Sequence, residues 1–150
     1  MTHSTANRVA DAIISLSNEN SLEITNLKLQ KILYYAQAWH LVLRNGPLFG
    51  EDIEAWVHGP VVPCVFRRFK NLRWDPIPSP GSSSESKTVS AHLTEVWRVY
   101  GKYDATELER RTHSETPWKE ARRGLPPDVA SHNVISHASM RKFYSSLLNA

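Results

Sequence analysis

A single cysteine, Cys64, stands among the 150 residues. One thiol excludes an internal disulfide and supplies no paired-cysteine metal site. No stretch approaches the ~18 uninterrupted apolar residues of a membrane span. The N-terminal MTHSTANRVADAI lacks the apolar run of a secretory leader. Neither GxGxxG nor GxxxxGK(S/T) occurs, so no loop of glycines is set to cradle a phosphate. Seven histidines are present, but they are scattered, with no HExxH and no i, i+4 pair on one helix face. Charge of one sign is also scarce: the net charge is +3 and no long basic run appears. These absences predict one cytoplasmic domain over residues 1–150, with no metal, cofactor or membrane anchor.

What is present is mostly helical periodicity. Val9, Ala12, Ile13 and Leu16 recur at i, i+3, i+4, i+7, with Ser4 or Thr5 placed to cap that helix. Thr25 or Asn26 begins a second helix. Its apolar positions (Leu29, Ile32, Leu33, Ala36, Leu43) are joined by Tyr34, Tyr35 and Trp39 on adjoining faces. A stripe this broad predicts a central helix covered on more than one side. Asn45-Gly46-Pro47 stops it. Ile53–Val57 alternates weakly and predicts one short β element, which Gly59-Pro60 breaks. Pro63 opens a third helix carrying Val65, Phe66 and Phe69.

The stretch DPIPSPGSSSES, from Asp75 to Ser86, has little to bury and predicts a mobile surface loop at about residues 75–88. Ser90 is placed to cap a helix through Tyr100. Asp104 caps a short helix containing Leu108, and Thr116-Pro117 begins another that Gly124 ends. Leu125–Asn133 reads as a connector, and Ser136 caps a last helix with Met140, Phe143, Tyr144 and Leu147. The fold class is therefore mainly α: about seven helices and at most one short β element near 53–57.

Few residues invite chemistry. His58 has the right intrinsic pKa for a general base but no nucleophile beside it in sequence. Cys64 would sit near a helix N-terminus, which lowers a thiol pKa, yet among Val61, Val62 and Val65 it reads as a small apolar filler. Glu51, Asp52 and Glu54 lack a second cluster to complete a site and read as a solvated turn. The basic clusters Arg67/Arg68/Lys70/Arg73, Arg110/Arg111 and Lys119/Arg122/Arg123 read first as solvated helix faces. Five tryptophans are many for this length. Trp97 and Trp118 lie on apolar faces and predict core packing. Trp74, at the edge of the loop, has less to pack on, and Trp and Arg dominate protein interfaces.

The order LQKILYYAQA (29–38), PLF (47–49), IEAWVHGPVVP (53–63) and VFRRFK (65–70), followed by HSETPWKEAR (113–122), resembles the SocA-like, or Panacea, antitoxin domain family, which includes phage-associated GepA-like proteins. The resemblance implies an antitoxin, not an enzyme, that neutralises a cognate toxin by direct contact. It also implies a possible proteolytic adaptor role, delivering the toxin to a ClpXP-type protease. Gly59, Pro60, Pro63, Pro117 and Trp118 are its structural motif positions. An aromatic residue or histidine stands before Gly-Pro in the family, which assigns His58 to packing or partner contact. The candidate toxin-binding residues are Tyr35, Trp39, Trp56, His58, Arg67, Arg68, Arg73 and Trp74. Two other classes stay open. One is a DNA-binding autorepressor reading through Val62–Asn71 and Arg73. The other is a hydrolase using His58, Cys64 or the acids at 51–54.

Overall fold

The structure, a computed structural model, describes residues 3–81 and 83–149. Its elements are α1 (Ala6–Glu19), α2 (Asn26–Leu43), β1 (Glu54–Trp56), β2 (Gly59–Val61), α3 (Pro63–Phe69), a 3₁₀ turn (Lys70–Leu72), α4 (Lys87–Tyr100), α5 (Ala105–Ser114), α6 (Thr116–Ala121) and α7 (His137–Leu148). The mainly α reading holds.

Local chemistry explains most helix starts. Thr5, Thr25, Asp104 and Ser136 each accept a backbone N–H from the first turn of the helix they open. α4 departs from expectation: Ser86, not Ser90, caps it, so residues 87 and 88 are helical rather than loop. α6 is capped at Glu115, one residue before Thr116, and Pro117 occupies its first turn.

α2 is the central helix. It packs against α1, α3, α4, α5, α7 and β2, most extensively against α7. Thirteen of its 18 residues are buried. This is why its apolar positions spread around the cylinder instead of forming one stripe.

The single expected β element has a partner. β1 and β2 form an antiparallel hairpin with Ala55 opposite Pro60 and Trp56 opposite Gly59. Gly59-Pro60, expected as a break, is the returning strand. Proline is tolerated there because Ala55 turns both its backbone groups the other way. Its N–H donates to the Asn133 carbonyl at 2.8 Å, and its carbonyl accepts from the Arg122 guanidinium at 3.1 Å. The missing N–H of Pro60 therefore leaves no partner unsatisfied. The connector at 133–135 also runs alongside β1, with the Ile135 N–H on the Ile53 carbonyl at 2.8 Å.

The 75–88 segment is tied down at both ends, against expectation. Ile77 is 4% exposed, and its N–H donates to the Ile24 carbonyl at 2.8 Å. Glu85 accepts from the Ser4 hydroxyl at 2.6 Å and pairs with Arg8 at 3.2 Å, its side chain nearly buried. One isoleucine and one carboxylate are enough to anchor a stretch that its composition marks as free. Ser82 lies outside the described residues. Ile77→Ala is expected to cost about 2–4 kcal/mol by leaving a cavity. Replacing residues 79–83 by two glycines is expected to change stability by less than about 1 kcal/mol, because loop closure depends only weakly on length. Urea melts of the two variants separate these outcomes; equal losses would refute the anchoring role of Ile77.

Candidate functional site

The polar residues inside LQKILYYAQA are the first finding. Gln30, Lys31 and Gln37 are buried on α2. Gln30 accepts the Val62 N–H at 2.9 Å and donates to Asn26 Oδ1 at 2.9 Å, while Asn26 donates to the Phe66 carbonyl at 3.1 Å. Lys31 Nζ donates to the Pro60 carbonyl at 3.3 Å. Gln37 donates to the Phe49 carbonyl at 2.8 Å and accepts the Leu48 N–H at 2.7 Å. The central helix thus pins PLF with one glutamine and the Gly-Pro strand and α3 with Gln30, Lys31 and Asn26. Sequence reasoning missed these side chains because polar residues on a helix ordinarily face water. The available signal was their position inside a helix apolar on nearly every side.

Lys31 is the most displaced of these groups. Burial lowers its pKa from the ordinary lysine range to about 7, and the Glu109 carboxylate acts in the opposite direction. In the unfolded chain the same amine titrates near ~10.4. Between about pH 7 and 10 the unfolded state therefore holds more protons, and stability rises with pH by up to about 1.4 kcal/mol per unit. Denaturant melts at pH 7 and 9.5 are expected to show this rise in the wild type and a much flatter profile in Lys31→Met. An equal rise in both would exclude Lys31 as its source.

An aromatic cluster fills the other side of α2. Tyr35 stacks on Tyr100, with ring centroids 3.9 Å apart and planes 11° apart, and meets Tyr34 and Tyr144 edge-on. Its hydroxyl donates to Glu115 Oε1 at 3.0 Å, and that of Tyr144 donates to the same oxygen at 2.9 Å. Burial raises the Glu115 pKa, and the two hydroxyls counteract it. Tyr35 is 0% exposed. Its place among the docking candidates is corrected: it is a core residue, because α7 covers the face that the sequence leaves open. Trp39 is half-buried. Its indole N–H donates to the Tyr100 hydroxyl at 2.9 Å, and its edge lines a groove with Leu43, Val96 and Val99.

The remaining candidates lie around the hairpin and α3. Trp56 meets Phe66 and His132 edge-on, with centroids 5.1 and 5.6 Å apart, and its indole N–H donates to Glu54 at 2.8 Å. With Leu27 and Val61 these rings line a depression of about 190 Å³. Beneath it Trp118 donates to the Trp56 carbonyl at 2.8 Å and stacks on His113. Arg122, read from sequence as part of a solvated cluster, is 2% exposed. It donates to the carbonyls of Ala55, Pro126 and Val129 and lies over the Trp118 ring. HSETPWKEAR is therefore the underside of the hairpin.

On the outside, His58 is exposed and 3.2 Å from Glu109. Arg68 pairs with Asp11 at 2.7 Å and lies over Phe69. Arg67, Lys70 and Arg73 are exposed and have no acidic partner among the described residues. Trp74 is 75% exposed. Arg73, which precedes it, has φ of 54°, so the chain bends sharply there.

No catalytic constellation forms among these groups. Burial pushes the Cys64 thiol up, which opposes a nucleophilic role. Glu51 accepts the Ala6 N–H at 3.1 Å at the start of α1, while Glu54 serves Trp56 and His132, so the acids diverge. Among the described residues no three His, Cys, Asp or Glu side chains are grouped to hold a metal ion. Among the described residues no helix is long and apolar enough to cross a membrane.

The family model for the antitoxin SocA-like, Panacea domain matches residues 29–119, more than half of the chain. The match begins at the pins of α2 and ends within α6. Antitoxin SocA of Caulobacter vibrioides (strain NA1000 / CB15N) is 41% identical over 64 residues, which cover 43% of this chain and 34% of that relative. The aligned part thus spans about a third of the relative's length. No solved structure matches. The buried glutamines, the Gly-Pro hairpin and the tryptophan beneath it are the physical content of the matched segment, and the chain belongs to the SocA-like Panacea antitoxin domain family.

Proposed function

We propose that this protein is a non-enzymatic antitoxin that neutralises a toxin partner by direct protein binding. The observation that carries this reading is the family match, whose span encloses the exposed Trp74, Arg67, Lys70 and Arg73, the three basic groups having no acidic partner among the described residues. Aromatic and arginine anchors of this kind dominate binding energy at protein interfaces. Neutralisation requires only a long-lived complex: nanomolar affinity corresponds to about −12 kcal/mol, within reach of an ordinary interface. The docking surface we assign comprises Trp56, His58, Arg67, Arg73 and Trp74, with Tyr35 excluded by burial. Arg68 is a poor probe of it, because Arg68→Glu also breaks the ion pair with Asp11.

The test is co-expression with the protein encoded by the adjacent reading frame. Rescue of growth and stoichiometric co-purification support the reading, and absence of both removes it. Delivery to a ClpXP-type protease is a separate part of the proposal. It requires the toxin's half-life to shorten when the antitoxin is present and to recover when the protease is deleted; an unchanged half-life leaves sequestration alone. A DNA-reading role draws little support from the geometry: α3 has seven residues, and Arg68 is occupied by Asp11.

A further inference from the structure

We propose that the depression between the hairpin and α3 is a receptor for one arginine side chain of the toxin. The proposal rests on the antitoxin reading above and names the residue that the partner presents. The register of the hairpin places a carboxylate at this depression. Ala55 faces the core, so Glu54 and Trp56, on either side of it, share the outer face of β1. Glu54 stands opposite Val61, which sets those two side chains beside each other on that face. Trp56 and Val61 both line the depression, together with Leu27, His58, Phe66 and His132. The hydrogen bonds of Glu54 fix it at the same edge. Its Oε1 is 2.8 Å from the Trp56 indole nitrogen and 3.2 Å from His132 Nδ1. Its Oε2 has no hydrogen-bond partner among the described residues.

Shape, charge and the free oxygen select the occupant. Phe66 and His132 stand at 64° and 81° to Trp56, with centroids 5.1 and 5.6 Å away, so the rings wall a slot and do not stack it shut. The volume of about 190 Å³ is below the roughly 300 Å³ at which small-molecule sites begin, and suits one side chain. Among the described residues no lysine or arginine lines it, Arg67, Lys70 and Arg73 included. The charged groups bonded to its lining are two carboxylates: Glu54, and Glu109 at 3.2 Å from His58 Nδ1. A leucine or phenylalanine seated here would strip water from Oε2 and return no donor, which is costly for a carboxylate. A glutamate would add a further negative charge. An arginine meets every surface. Its methylenes lie along Leu27 and Val61, its planar guanidinium faces an aromatic ring, and one of its N–H groups reaches Oε2.

The test follows the Trp56 indole N–H of the full, isotope-labelled chain by NMR while N-acetyl-arginine methylamide is added. Trp56→Phe identifies the signal. The citrulline, leucine and glutamate analogues are titrated in parallel, citrulline keeping the shape of arginine without its charge. The arginine compound is expected to move the signal at millimolar concentration, with a dissociation constant about tenfold or more below that of each analogue and rising with salt. Glu54→Gln retains an oxygen for the Trp56 indole. It is expected to keep the melting temperature and to erase the preference for arginine over citrulline. Leucine or glutamate binding as tightly as arginine, an arginine preference that survives Glu54→Gln, or a signal that none of the compounds moves would overturn the proposal. The toxin itself separates the two levels. Capture weakened about tenfold in Glu54→Gln supports the proposal. Equal capture by wild type and variant overturns it and leaves the antitoxin reading standing. If neither captures the toxin while the arginine compound still moves Trp56, the antitoxin reading falls and the chemistry of the depression stands.

Discussion

Gly59→Val is expected to destabilise the protein by about 3–5 kcal/mol and to lower its melting temperature by about 6–20 °C. Gly59 has φ of +108°, a conformation that β-branched residues adopt only under strain. A Cβ at this position would also stand 2.7 Å from Lys31 Cε and 3.0 Å from Thr112 Oγ1. Both neighbours are buried, and Lys31 is itself tied to the Pro60 carbonyl, so neither yields easily. Gly59→Ala meets the same dihedral and the same first contact, but adds less bulk. It should fall between wild type and Gly59→Val. Thermal melts followed by circular dichroism measure the series. Wild-type melting of Gly59→Val would show that the hairpin can flex out of its present shape, and the account of Lys31 as its pin would fail with it.

Tyr35→Ala is expected to cost a further about 3–5 kcal/mol, measured separately. The ring is fully buried between Tyr100, Tyr34 and Tyr144, and its loss leaves a cavity beside a carboxyl whose pKa is already raised by burial. Tyr35→Phe keeps the ring and removes only the hydrogen bond to Glu115. About 1 kcal/mol is expected there, because the Tyr144 hydroxyl remains on the same oxygen. Toxin affinity of the Phe variant should match wild type. A Tyr35→Ala variant that melts normally but no longer binds toxin would move Tyr35 from the core back to the interface.

The helix boundaries were legible in the sequence wherever a cap is a local event. Thr5, Thr25, Asp104 and Ser136 announce themselves because the hydroxyl or carboxylate bonds to a backbone N–H three residues on. Ser90 reads as the cap of α4 in place of Ser86 because both precede apolar positions of the same helix. The hairpin was half legible. β1 alternates, but β2 is Gly-Pro-Val, and a strand containing proline is only acceptable where its neighbour bonds elsewhere. That condition depends on Asn133 and Arg122, more than sixty residues away. The buried pins Gln30, Lys31 and Gln37, and the buried guanidinium of Arg122, are hidden from the sequence for the same reason. Burial of a polar group is decided by partners distant in the chain, not by the residue's own character. Of the docking candidates, Trp74, Arg67, Arg73 and His58 are exposed, Trp39 and Trp56 are half-buried, and Tyr35 is lost to the core because the cover supplied by α7 has no local signature.

The seal between α2 and α7 also sets a clock on synthesis. Tyr34 and Tyr144, whose hydroxyls lie 3.1 Å apart, are separated by 110 residues. At about 5–20 residues per second, roughly 5–20 s pass between the emergence of one ring and the other. Tyr100 of α4 reaches Tyr35 earlier, but until α7 follows, Tyr34 lacks the ring that covers it, and the nascent chain presents part of an aromatic face to the surrounding solution. Such surface promotes aggregation and recruits chaperones. The level of active protein in a cell therefore depends on how fast the last helix arrives as well as on how tightly the finished molecule holds together.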